Sequence, residues 1–231
     1  MRLDLHCHST ASDGTLNMWE LMELATKVGL DGLVVTDHCS PNNAFHTNQV
    51  ILDAVTINPK LKIPVIIGSE IATPYGEFLL FGKKACGQWD HYKHDLRKIA
   101  ISFGVESYWN MFNTHVLHKI THNTESGYLS SRVIQPLGYG MIMCHPRKLT
   151  IEQCGRFPDI LWMLLHGFEI QNGYEHYDVV MPDVVDFLKS RIRNCKCLRN
   201  SDTHNEDLGM AFNEIDIKEV SENHLIHWLR C

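Results

Sequence analysis

No run of this 231-residue chain is apolar for long enough to span a bilayer, and the opening Met1-Arg2-Leu3-Asp4 lacks the apolar stretch of a secretion signal. The expectation is a cytoplasmic protein with no membrane partner. Positive charge is also scarce: 21 lysines and arginines face 27 aspartates and glutamates, for a formal charge of −6. Without a basic stripe to displace counterions from a phosphate backbone, long duplex nucleic acid and processive nuclease action are not expected. A short phosphorylated ligand held by one or two arginines and metal ions remains compatible with that charge. Internal repeats, low-complexity segments and linkers are missing too, so one barrel-sized α/β domain over residues 1–231 is the simplest reading. The eight cysteines lack a secretion signal beside them, and Cys195 and Cys197 have no second spaced pair to make a zinc ribbon. They read as reduced thiols.

What the chain does have is histidine, fifteen in all, and some of them fall in a telling pattern. Asp4-Leu5-His6-Cys7-His8 is followed at once by Ser9-Thr10-Ala11-Ser12-Asp13-Gly14. Residues two apart on a strand point to the same side, so His6 and His8 can grip one ion together. Their neighbour Cys7 then faces the packed layer as a small apolar filler, and Cys39 and Cys144 beside other candidate ligands read the same way. Asn200-Ser201-Asp202-Thr203-His204 echoes the pattern near the other end.

Short apolar runs ending in polar residues alternate with amphipathic stretches. Strands are expected at Leu3–His8, Gly32–His38, Ile63–Glu70, Glu77–Gly82, Gly140–His145, Gly167–Ile170 and Cys197–Asn200. A first helix carries Met18, Met22, Ala25 and Val28 on one face, with Asn17 or Thr15 as its cap; others are expected at Asn48–Ile57, Asp178–Arg193 and Glu219–Leu229. Alternation of this kind argues a parallel sheet closed into a barrel, with its site at the carboxyl ends of the strands. The stretch 85–135 breaks the rhythm and reads as a helical excursion over one end of the barrel. Its Trp89 and Trp109 are expected in an aromatic core, and His91, His94, His115, His118 and His122 on solvated helix faces.

Taken in order, the strand ends supply His6 and His8, Asp37-His38, Glu70, His145, and Asp202 with His204. Imidazole and carboxylate together suit zinc, manganese or iron, and carboxylates can bridge two ions. The ordered motifs Asp-Leu-His-Cys-His with Ser-Asp-Gly, Thr36-Asp37-His38, Gly68-Ser69-Glu70, Cys144-His145-Pro146-Arg147 and Ser201-Asp202-Thr203-His204 resemble the polymerase-and-histidinol-phosphatase (PHP) family of metal-dependent phosphoesterases. Gly167-Phe168-Glu169-Ile170-Gln171-Asn172-Gly173 and Leu208-Gly209 are weaker echoes. The resemblance implies a distorted seven-stranded (β/α) barrel holding two or three divalent ions. Carried over by position, it makes His6, His8, Glu70 and Asp202 ligands of one ion, Glu70 and His145 of a second, and Asp13, His38 and His204 of a third. Many relatives place a histidine ligand after Glu70 in a Gly-His-Leu-Leu setting; this chain has Gly76-Glu77-Phe78-Leu79-Leu80, so Glu77 stands in its place.

The chemistry expected is hydrolysis of a small phosphomonoester or short phosphorylated nucleotide by metal-activated hydroxide. His38 or His204 would protonate the leaving oxygen, and Asp37 would orient a ligand histidine. Arg147 is the candidate phosphate clamp, and Arg147→Ala is expected to raise KM about tenfold or more with metal content unchanged, read by steady-state kinetics beside elemental analysis. Two other classes compete: an amidohydrolase-like metal hydrolase of C–N or C–O bonds, and a non-catalytic metal-bound module. Thr-Asp-His on the second strand and Asp-x-His at the end argue against the first, and the intact ligand set argues against the second.

Overall fold

The computed structural model describes residues 1–38, 44–55, 63–73, 76–82, 139–146, 149–157, 159–173 and 178–231. The expected excursion at 85–135, Cys39 and the candidate clamp Arg147 lie outside the described residues. Nine strands join in one sheet among those described: β1 Arg2–Cys7, β2 Gly32–Val35, β3 Val65–Thr73, β4 Gly76–Phe81, β5 Gly140–Met143, β6 Gly167–Asn172, β7 Asp178–Val179, β8 Lys196–Asn200 and β9 Asn213–Glu214. The helices are α1 Met18–Lys27, α2 Ala44–Val55, α3 Ile151–Gly155, α4 Asp159–Leu164, α5 Pro182–Arg191 and α6 Glu222–Arg230. None of them is long and apolar enough to cross a membrane.

Seven of the strands form the barrel. The pairing runs β1-β2-β3-β4-β5-β6 and then to β8, while the two-residue strands β7 and β9 hang on β6 and β1. Closure comes just past β8: Cys7 bridges Thr203 in parallel, Asp202 N–H donates to His6 O, and His8 N–H donates to Thr203 O. The ends of the chain therefore meet where the candidate ligands lie.

The sheet is not wholly parallel. β4 runs antiparallel to both β3 and β5, with Glu70 opposite Leu79 and Ala72 opposite Glu77. A crossover helix is needed only between parallel strands, so β3 and β4 connect directly. The reversal puts the amino end of β4, with Glu77, at the face where its neighbours present their carboxyl ends.

The interior is built from Leu3 and Leu5 of β1, Val34, Ile66, Leu79, Phe81, Ile142 and Leu198, and is sealed by Leu225 and Leu229 of α6. Cys7 belongs instead to the layer packed against Met18, Leu21 and Met22 of α1, as expected of a filler. The β1–β2 register breaks between Asp4 and Cys7, which is where the strand changes side. Asn17 caps α1 in a reciprocal box with Glu20, satisfying two otherwise orphaned amides. Val28, placed on the helix by its spacing, is its exposed C-cap, because Gly29 follows in the left-handed region at φ 78°. The stretch expected as one helix from Asp178 starts only at Pro182, since Asp178–Val179 is drawn into pairing with β6.

Candidate metal centre

Parallel strands deliver their carboxyl ends to one face, and the candidate ligands gather there. His6 and His8 point their Nε2 atoms at each other, 3.1 Å apart. Glu70 brings Oε2 to 3.1 Å from His8 Nε2, 3.4 Å from His6 Nε2 and 3.1 Å from His38 Nδ1. Asp202 Oδ1 stands 3.0 Å from His6 Nε2 and 3.2 Å from His8 Nε2. These four side chains are buried. A more open group lies beside them: Asp13 Oδ2 is 3.4 Å from both His38 Nε2 and His204 Nε2, and the His204 ring stacks on His8 at 4.2 Å. His145 joins from the other flank, with Nε2 2.7 Å from Asp202 Oδ2 and 3.7 Å from Glu70 Oε1.

Among the described residues, four sets of candidate ligand atoms each lie within 4.8 Å of one another: His6, His8, Glu70 and Asp202; His8, Asp13, His38 and His204; His6, His145 and Glu169; and Glu70, Cys144 and His145. The first set is the one carried over from the sequence, and the second adds His8 to its expected members. Around His145 the picture differs from expectation. Glu77 is in none of these sets; its Oε2 lies 3.1 Å from His145 Nδ1, the nitrogen turned away from Glu70 and Asp202. That is the position of a group orienting a histidine rather than of a third ligand beside Glu70 and His145. Cys144 packs with Leu79 and Ile142, and burial, with nearby carboxylates, pushes its thiol well above the usual range. It stays a protonated filler.

The donor set fits a divalent cation. Both oxygens of Glu70 and Oδ1 of Asp202 are buried and find no hydrogen-bond partner among the described residues. The imidazole nitrogens stand close to them but off the hydrogen-bonding direction. A buried carboxylate oxygen without a partner costs roughly 1–3 kcal/mol or more. One cation near the focus of these oxygens and the two facing Nε2 atoms would satisfy them together.

Electrostatics carries the same message. Burial alone would drive His6, His8 and His145 toward neutrality, but the surrounding carboxylates outweigh it. His8 and His145 are raised to about 9, chiefly by Asp202, with Glu70 and Glu77 respectively, and His6 rises well above its ordinary 6.5 through Asp202, Glu169 and Glu70. Burial opposes ionisation of Glu70 and Asp202 as well, yet the histidines hold both carboxyls well below their usual range. Negative charge is concentrated in this cup, and protons or metal must balance it.

Several supporting groups lie in stretches that echo the family motifs without a role that spacing could assign. Glu169, buried in β6, accepts from Asn200 Nδ2, meets His6 Nδ1 at 2.8 Å and accepts from the His145 amide at 3.1 Å. Asn172 Nδ2 donates to Asp202 Oδ2 at 2.7 Å. Both braced ligands are left-handed: φ is 42° at His145 and 50° at Asp202, a conformation costing roughly 1–2 kcal/mol in a non-glycine residue. Asp4 Oδ1 accepts from the His6 and Ser201 amides, tying β1 to the chain beyond β8, and burial raises its carboxyl to about 6. The sequence sign of the Glu169 and Asn172 braces was the family echo at Gly167–Gly173, and a glutamate set between Phe168 and Ile170 in a buried strand could have drawn attention to it.

Asp37 departs from its expected role. Instead of meeting a ligand histidine, its carboxylate accepts from Ser9 N–H at 2.7 Å and Ser9 Oγ at 2.6 Å, and also from Ser12 Oγ and Asn48 Nδ2. It knots the loop that carries Asp13, with Ser12 Oγ in turn 3.5 Å from His8 Nδ1. The same loop folds back so tightly that a Cβ on Gly14 would sit 2.4 Å from His8 O. Gly14→Ala is therefore expected to cost about 1–3 kcal/mol of stability and to weaken binding of the ion beside Asp13, read by thermal melting and metal titration.

A family model for the PHP domain matches residues 4–129. A 5'-3' exoribonuclease of Haemophilus influenzae is 39% identical over 72 residues, covering 31% of this chain but only 24% of that enzyme. Among solved structures, a two-domain protein from Bacteroides vulgatus containing a predicted PHP-like metal-dependent phosphoesterase is similar over 100% of this chain and 63% of its own, at a TM-score of 0.56 and 19% identity. An amidohydrolase from Chromobacterium violaceum, solved with bound sulfate and no metal, matches over 92% of this chain and 91% of its own, at a TM-score of 0.53 and 18% identity. At these identities the solved structures share the fold.

Proposed function

The chain belongs to the PHP domain family, and from that premise we propose that it is a metal-dependent phosphoesterase acting on a small phosphomonoester or short phosphorylated nucleotide. The observation that carries this reading is the set of buried, unsatisfied oxygens of Glu70 and Asp202 facing the Nε2 atoms of His6 and His8. His6, His8, Glu70 and Asp202 would hold one ion, Glu70 and His145 a second, and Asp13, His38 and His204 a third. Bound divalent ions polarise phosphoryl oxygens and make a nucleophile available from water near neutral pH.

The chain's own groups complete the reaction. His204 Nδ1 lies 3.0 Å from the Asp202 carbonyl oxygen, an acceptor only, so Nδ1 is the protonated nitrogen and Nε2 faces the open side of the cup. His38 is one-third exposed and His204 about a quarter, so these two rings, unlike His6, can meet a leaving oxygen. When protonated at both nitrogens and not engaged with an ion, either ring can hand it a proton from Nε2. Arg147, beside His145 in sequence, would clamp the phosphate through two parallel N–H donors. The stretch shared with the exoribonuclease favours a nucleotide among the substrate classes, and the −6 charge favours a short one over a duplex.

A screen of sugar, amino-alcohol and nucleotide phosphates, with zinc, manganese or iron added, tests the assignment through released phosphate. Turnover of at least one phosphate ester is expected. Hydrolysis of a lactone or amide with no phosphate released from any ester would overturn it in favour of the amidohydrolase-like class.

A further inference from the structure

Resting on that reading of the metal centre, we propose that Glu169 is a positioning residue that sets the His6 tautomer and clamps the His145 backbone, so that β6 governs ion binding without supplying a ligand. Its Oε1 accepts from Asn200 Nδ2 at 2.8 Å and lies 2.8 Å from His6 Nδ1. A carboxylate offers only acceptors to these neighbours, so the hydrogen between Glu169 and His6 resides on Nδ1. Nδ1–H leaves the lone pair on Nε2, the nitrogen that faces His8, Glu70 and Asp202. With the opposite tautomer, a hydrogen would occupy the place where the ion must bind.

The second oxygen does a different task. Oε2 accepts from the His145 amide at 3.1 Å, at a residue whose φ is 42°. One carboxylate thus fixes the ring of one ligand and the backbone of another. Asn200 is itself held, accepting from Leu5 N–H and from Asn213 Nδ2, so the brace runs from β9 through β8 to the cup. Glutamine cannot reproduce this arrangement. With its oxygen toward His6 and Asn200, its NH2 opposes the His145 amide. Flipped, its NH2 opposes Asn200 Nδ2 and forces His6 to accept on Nδ1. Either orientation spoils one ligand.

The test is zinc titration of wild-type protein and Glu169→Gln, with Glu169→Asp as the conservative variant, together with 15N correlation spectra of the His6 ring in the zinc-loaded wild type. His6 is expected to show Nδ1–H with Nε2 bound to zinc. Glu169→Gln is expected to weaken zinc binding at the His6 ion about 10–100-fold while the ion beside Asp13 keeps its affinity, and Glu169→Asp to recover part of the loss. Wild-type protein that takes up zinc with His6 bound through Nδ1 would overturn the proposal. So would a folded Glu169→Gln protein that binds zinc within twofold of wild type. If Glu169→Gln fails to fold, the wild-type His6 spectrum decides alone. Wild-type protein that takes up no zinc, manganese or iron would overturn the functional reading itself, and this proposal with it.

Discussion

Glu70→Gln is expected to strip the centre of metal and to lower phosphate release by a factor on the order of 10²–10³ or more, the scale of losing one electrostatic contact to a developing charge. Glu70 approaches His6, His8, His38 and His145, and its two buried oxygens have no other partner. No other residue of the cup reaches both the inner set and His145 with atoms so fully uncommitted. Glutamine matches its shape, so the expected loss comes from charge and ligation rather than from a cavity. Asp13→Asn is the informative contrast. Its side chain is 53% exposed and meets the outer histidines at 3.4 Å, so one ion should weaken while the inner one stays. Elemental analysis and activity measured on the same preparations check both; a Glu70→Gln protein with full metal and undiminished turnover would sink the ligand assignment.

Metal uptake is expected to release protons and to strengthen as pH rises toward about 9. Without a bound cation His8 and His145 keep their protons to about 9, against an ordinary value of 6.5, and His6 is raised as well. Each protonated ring must lose a proton before its Nε2 can ligate, so loading near neutral pH should liberate protons, and affinity should climb about tenfold per pH unit for each proton displaced. Stability of the chelated protein follows the opposite course. A histidine whose pKa is raised on folding stabilises the fold fully below its unfolded value near 6.5, and that contribution is lost as pH rises through about 9. The chelated protein should therefore melt at lower temperature at pH 9 than at pH 6.5, and the gap to the metal-loaded protein should widen over the same interval. Calorimetric titration in buffers of different ionisation enthalpy counts the protons, and a count near zero would contradict the charge balance described for the cup.

The candidate ligands were legible because their chemistry is local. A histidine pair two apart on a strand, and polar residues ending apolar runs, announce themselves without any tertiary information, and the structure gathers His6, His8, Asp13, His38, Glu70, His145, Asp202 and His204 at one face. The barrel was legible in the same way, as alternating strands and helices. The reversal of β4 was not, because an apolar run carries no direction; only the direct passage from β3 decides it. Glu169 and Asn172 lay in a stretch that echoes the family, but their roles were hidden for a related reason. Their partners are 24 to 163 positions away, so no spacing marks them. Asp37 was expected beside a ligand histidine and instead meets Ser9, Ser12 and Asn48, since its position beside His38 says nothing of the loop that folds over it. Glu77 was expected as a metal ligand, while the ring edge it meets depends on how His145 turns at a left-handed backbone.

The central claim is that the cup around Glu70 holds divalent ions and that those ions drive phosphoester hydrolysis. Its most direct test is elemental analysis of the purified chain before and after chelation, with phosphate release followed on the same samples. About two or three divalent ions per chain are expected, with phosphate release that disappears with them and recovers when zinc, manganese or iron is returned. Undiminished phosphate release from protein stripped of its metal would contradict it.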